Sequence, residues 1–278
     1  MRPSDIKIGT SGWKFEDWAG LFYPHRVPQT KWLEYYAARF PVGEINSTYY
    51  RIARVATYEA IAKRTPDNFQ VLAKVHANVT HTRENPADSL RLLLAALQPL
   101  IESGKLIGLL AQFPASFRHS PANLEYAIRL RDYCQNIPLC VEFRHQEWLC
   151  DEVFALLNEQ GIAWVTPDEP PLSDLLPFQP LVTSHFYYIR MHGRNTNTWY
   201  NSQAGNRYDY NYSEEQLKKL GKWLLDSETD GVKGYVLFNN CHLGQAPSNA
   251  WWLKTWLEAQ DSSNTDRDTD IGFDLSSD

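Results

Sequence analysis

Long apolar runs are missing from this chain. None approaches the roughly 18 residues that a membrane span needs, so no membrane association is expected. Cysteine is scarce. Cys134, Cys140, Cys150 and Cys241 form no CxxC pair and no zinc-type spacing, and 4 thiols in 278 residues are too few for a disulfide scaffold. They read as reduced thiols of a cytoplasmic protein. The first residues lead directly into Ile6-Lys7-Ile8-Gly9 without an apolar stretch, so no signal peptide is expected. An excess of one charge is also missing from most of the chain. Residues 259–278 hold six aspartates and one arginine, which leaves about −1 of the formal −6 for everything before them. A nearly neutral body does not coat nucleic acid by bulk charge, though it can still hold a local basic pocket. GxGxxG and GxxxxGK[ST] are absent too, which removes the simplest dinucleotide and P-loop readings.

What the sequence does contain is a regular alternation. Short apolar runs suited to strands occur at 6–9, 42–46, 70–76, 107–113, 139–143, 163–166, 186–192 and 234–239. Helical patterns separate most of them. Asn85-Pro86 and Ser120-Pro121 each read as a cap followed by proline at the first helical position. Ser213 with Gln216 forms a capping box, and Gly161 closes a helix that begins near Asp151. Eight βα units in about 250 residues predict a single-domain α/β fold, the TIM (β/α)8 barrel, over residues 1–258. Residues 259–278 are polar and acidic. They have too little apolar surface to offset their ordering entropy, so a disordered tail is expected there.

The strands end in polar side chains spaced two apart, which places each pair on one face. Glu44 and Asn46 follow the second run, Lys74 and His76 the third, Glu142 and Arg144 the fifth. Arg190, His192 and Arg194 mark the seventh, while Gln112, Asp168, Asn239 and Asn240 mark the fourth, sixth and eighth. Charges on one face of apolar strands are costly unless they are paired or open onto a cavity. In a barrel the tolerant place is the C-terminal mouth, where TIM-barrel active sites lie.

These strand ends also carry a resemblance. Gly9-Thr10-Ser11-Gly12-Trp13, Glu44-Ile45-Asn46-Ser47-Thr48-Tyr49-Tyr50, Lys74-Val75-His76 and Gln112-Phe113-Pro114 resemble the YecE-like family. So do Val141-Glu142-Phe143-Arg144-His145, Pro167-Asp168, Arg190-Met191-His192-Gly193-Arg194 and Phe238-Asn239-Asn240. The likeness runs from about Ile6 to Leu257, and only the acidic tail departs from it. It implies a TIM barrel with architectural kinship to endonuclease IV and xylose isomerase. It implies no particular reaction, because the family is one of unknown function.

Three carboxylates (Glu44, Glu142, Asp168) and four cations (Lys74, Arg144, Arg190, Arg194) give the expected mouth a charge of +1. That suits a small anionic, phosphate-bearing ligand, since guanidinium groups bind such anions through two parallel hydrogen bonds. The residue types predict His192 and His76 as proton carriers with Glu44 or Glu142 as base or orienting group. Lys74, Arg144, Arg190, Arg194, Asn46, Gln112, Asp168, Asn239 and Asn240 would bind substrate, and Trp13, Tyr49 and Tyr208 would offer stacking faces. Hydrolase or isomerase chemistry is the leading reading. A metal-dependent phosphodiesterase or nuclease of the endonuclease IV type is the second, and a non-catalytic nucleic-acid or sugar binding module the third. No cofactor is predicted and no metal ligand set is assigned, although oxygen and imidazole donors leave a divalent metal open. Nucleic acid as a partner is not supported by net charge. A rival for the arginines is structural: Arg190 can be locked to Glu142 or Glu44 as a buried salt bridge.

Overall fold

The computed structural model describes residues 5–200, 206–226 and 232–269, with the backbone alone for 206 and 262–269. Its eight strands are β1 (Ile6–Thr10), β2 (Val42–Ile45), β3 (Gln70–Lys74), β4 (Leu106–Gln112), β5 (Leu139–Glu142), β6 (Ala163–Asp168), β7 (Phe186–Met191) and β8 (Lys233–Phe238). They pair in parallel in chain order, and β8 closes on β1. The closed parallel sheet is the single-domain TIM barrel that the alternation predicts. Each strand lies within two residues of its predicted limits.

The helices are α1 (Trp32–Ala37), α2 (Val55–Arg64), α3 (Ala77–Thr80), α4 (Pro86–Glu102), α5 (Pro121–Arg129), α6 (Asp151–Glu159), α7 (Glu214–Asp226) and α8 (Gln245–Thr269). Their start signals act as physical devices. The Ser120 hydroxyl accepts from Asn123 N at 3.2 Å. Ser213 and Gln216 satisfy each other's backbone amides at 2.9 and 3.3 Å, a reciprocal capping box. Asn85 differs from expectation: it sits in the left-handed region at φ 47° and makes no side-chain cap, so Pro86 alone pre-sets the first turn. The expected boundary at 258 falls inside α8, whose backbone stays helical through Thr269 because propagation costs little once a helix is nucleated. Residues 270–278, the rest of the predicted tail, lie outside the described residues.

One unit departs from the alternation. Residues 169–185 form no helix between β6 and β7. Pro170, Pro171, Pro177 and Pro180 explain it, since each removes a backbone donor and resists a helix interior.

Two cores follow from the strand parity. Ile8, Ile45, Val71, Leu109, Val141, Ile189 and Val236 face the helices. Val42, Leu72, Leu110, Cys140, Val165, Tyr188 and Leu237 fill the lumen. The lumen is therefore a packed plug, and a ligand can meet the lumen only at its ends.

Candidate active site at the barrel mouth

Two positions beyond each lumen residue, on the same strand face, stands the next layer. Val42 is followed by Glu44, Leu72 by Lys74, Leu110 by Gln112, Cys140 by Glu142, Tyr188 by Arg190 and Leu237 by Asn239. The apolar plug thus gives way to a polar floor at the C-terminal end of the strands.

That floor is a chain of alternating charges. Arg190 is buried and donates from one terminal nitrogen to Glu44 Oε1 at 2.6 Å and from the other to Glu142 Oε2 at 2.8 Å. The Tyr188 hydroxyl donates to the other oxygen of Glu44. On the far side of Glu142, Arg144 Nε lies 2.5 Å from Oε1, an ion-pair contact. Arg144 also donates to Glu169 Oε2 at 2.9 Å. His192 sits inside this chain, with Nε2 3.2 Å from Glu142 Oε1 and 3.0 Å from an Arg144 terminal nitrogen. Asn239 Nδ2 lies 2.9 Å from His192 Nδ1.

The order Glu44–Arg190–Glu142–Arg144–Glu169 decides the electrostatics. Burial by itself would raise the Glu142 pKa, but Arg144, Arg190 and His192 hold it well below the usual carboxylate range. Burial, joined by Arg144, pushes the His192 pKa down to about 3, so its imidazole is neutral at physiological pH. Glu169 goes the other way: burial raises its pKa to about 7 against the pull of Arg144.

Lys74 stands apart from the chain. Its Nζ donates to Gln112 Oε1 at 2.8 Å and lies 4.4 Å from the centre of the Tyr49 ring. No carboxylate pairs with it among the described residues. Burial and the nearby Arg190 lower its pKa to about 8, against the attraction of Glu142 and Glu44.

A family model described as "Protein of unknown function DUF72" matches residues 7–270. The chain belongs to the DUF72 family. YecE-like is another name for it, so the resemblance at the strand ends holds. The UPF0759 protein YunF of Bacillus subtilis is 29% identical over 283 residues, covering 96% of this chain and 99% of that protein. The crystal structure of a DUF72 family protein (TM1631) from Thermotoga maritima is 38% identical, covers 91% of this chain and 99% of its own, and superposes with a TM-score of 0.84. A second DUF72 crystal structure (EF0366), from Enterococcus faecalis, is 26% identical, covers 91% and 95%, and gives 0.81.

The remaining candidates in this DUF72 chain divide by strand parity. Asp168 does not share the Val165 face of β6. It receives Arg194 Nε at 3.0 Å and Arg194 Nη2 at 2.6 Å, together with the Tyr212 hydroxyl at 2.5 Å. Arg194 and Asp168 therefore neutralise each other beside the charge chain. Glu169, which the sequence reading missed, takes the inward place. Counting on from Ala163 and Val165 would have reached it, but the run was ended at Thr166. Adding Glu169 brings the mouth from the expected +1 to charge balance. Asn240 faces Tyr210 O and Asn249 Oδ1, both at 2.8 Å, and holds the outer shell. Trp13 packs beside Tyr36 and Phe69, with ring centres 6.0 and 6.5 Å away. His76 caps α3 by accepting from Asn78 N at 3.2 Å and makes no contact with the charge chain. Asn46 donates to Ser11 O at 3.0 Å. Tyr49 and Tyr208 flank the floor from two sides, against Lys74 and at 6.2 Å from the His192 ring. His81, also missed, packs 5.0 Å from Tyr49, and burial together with Lys74 lowers its pKa. No strand parity could reveal it, because it lies beyond its strand, as the C-cap of α3.

Proposed function

We propose that the mouth of this barrel is an enzyme site for a small anionic, phosphate-bearing ligand, with hydrolase or isomerase chemistry. The observation that carries this reading is Lys74: it is the cation of the floor that no carboxylate neutralises, and it is half-buried beside a neutral amide and a ring face. A phosphate or carboxylate meeting Nζ gives it a direct ion-pair partner where low dielectric strengthens the contact. Gln112 and the face of Tyr49 are the groups that hold Nζ in position for that contact.

The proton chemistry moves to different groups from those the residue types suggested. His192 is a weak base in this setting, and His76 is engaged as a cap. Glu169, near 7, and Lys74, near 8, straddle neutral pH and can exchange a proton with a bound ligand. Arg190 and Arg144 act on this reading as the scaffold that fixes Glu142 and His192, leaving Lys74 as the anion anchor. The metal-dependent reading has less support. Among the described residues no group of three or more His, Cys, Asp or Glu side chains is arranged to hold a metal ion. Glu44, Glu142 and Glu169 each already face a guanidinium.

A thermal-shift screen of phosphate monoesters tests the proposal. Ligands that stabilise the wild type should lose their effect in Lys74→Met while the unliganded variant still melts cooperatively. Equal shifts in both proteins would dispose of Lys74 as the anchor.

A further inference from the structure

The helix missing between β6 and β7 leaves space. A regular barrel covers this sector with a helix. Here the segment around Phe178 and Pro180 and the helix α7 enclose a cavity of about 500 Å³ outside the lumen, beside the C-terminal end of β7. Its floor is apolar, from buried Met191 and Leu220. Phe178 and Trp223 meet edge to face at 6.5 Å and form an aromatic wall. Its charged members are both cations, Arg194 and Lys219, and no carboxylate is among the described residues that line it.

Both cations have capacity to spare. Lys219 is exposed and makes no ion pair among the described residues. Arg194 commits Nε and Nη2 to Asp168, but its Nη1 makes no hydrogen bond among the described residues. Asp168 holds the guanidinium in place, so its free edge is oriented before any ligand arrives. The volume lies within the usual range for small-molecule sites, and an apolar lining with a few convergent polar groups is their usual composition.

We propose that this cavity is a second ligand site, separate from the mouth, that takes a small carboxylate with an aromatic or branched apolar body. The apolar body fills the space between Phe178, Trp223 and Leu220, and the carboxylate meets Lys219 and the free Arg194 edge. A neutral analogue gives Lys219 and the free Arg194 edge no counter-charge. A free phosphate leaves the aromatic wall empty.

Calorimetric titration with 2-naphthylacetate, and with its neutral amide as control, tests this directly. The carboxylate should bind the full-length protein at least about tenfold more tightly than the amide. Lys219→Glu, a change on an exposed helix position, should weaken it by about tenfold or more. Trp223→Ala should weaken both compounds while the protein keeps a cooperative melt. No binding at millimolar concentration overturns the proposal, as does equal affinity for acid and amide. Loss in Lys74→Met with Lys219→Glu unaffected would put the compound in the mouth and also overturn it. Concentration-dependent self-association that Trp223→Ala abolishes, without ligand binding, would assign the cavity to a second copy of the chain instead.

Discussion

Replacing Arg190 with methionine removes the guanidinium that bridges Glu44 and Glu142 at 2.6 and 2.8 Å, in a place where all three side chains are buried. The two carboxylates are not left in the same position. Glu142 keeps Arg144 at 2.5 Å, whereas Glu44 keeps only the Tyr188 hydroxyl. The loss therefore falls mainly on one uncompensated buried charge, which costs about 3–5 kcal/mol. At roughly 2 °C per kcal/mol for a domain of this size, Arg190→Met should lower the melting temperature by about 6–10 °C. The double variant Glu44→Gln, Arg190→Met removes the stranded charge and should recover more than half of the loss. Calorimetric melts and urea titrations of the wild type, both single variants and the double variant give the coupling. A melting temperature for Arg190→Met within about 1 °C of the wild type would refute the reasoning that this arginine is internal scaffold.

Glu169 has a raised pKa near 7, so between about 4 and 7 the native chain keeps a proton that the unfolded chain has released, and stability falls as pH rises through that window. Glu169→Gln should remove this falling limb and gain on the wild type between those pH values in urea titrations; parallel curves would contradict it. A Cβ added at Gly9 would lie 2.0 Å from the Val42 carbonyl oxygen of the paired strand, so Gly9→Ala must push β1 off β2. We expect a loss of about 3 kcal/mol or more by chemical denaturation, and a loss below about 0.5 kcal/mol would be inconsistent with the barrel closure described. The lowered pKa of Lys74 means that holding it charged opposes folding at every pH below about 8, a penalty relieved only as pH rises from there towards its unfolded value. Lys74→Met should therefore be about 1 kcal/mol or more stabler than the wild type at pH 7, and a destabilised variant would count against the account.

The barrel was readable because its units repeat two strong signals, apolar runs of strand length and helix starts such as Ser120-Pro121 and Ser213 with Gln216. Parity also placed Glu44, Lys74, Gln112, Glu142, Arg190 and Asn239 together at one end, since residues two apart must share a strand face. What the sequence could not show was pairing. Arg144, Arg190 and Arg194 have the type of anion clamps, but apart from Glu142, two residues before Arg144, their partners lie 25 to 146 residues away in the chain. Asp168 and Glu169 are adjacent, and a shift of one residue in where β6 ends exchanges the inward group for the outward one. His76 looked like a strand-end base, yet its ring nitrogen is used locally to start α3, a role that only backbone geometry reveals. The missing helix after β6 was legible in principle from the four prolines of its segment.

The central claim is that Lys74, and not the arginines, is the free charge of the mouth. Titration calorimetry with ribose 5-phosphate on the wild type and Lys74→Met, repeated from pH 7 to pH 9.5, measures it. The account predicts binding to the wild type that weakens as pH rises through about 8, where the amine loses its proton, and at least about tenfold weaker, pH-independent binding to Lys74→Met. Equal affinity of the two proteins, or wild-type binding that does not change across that range, would contradict it.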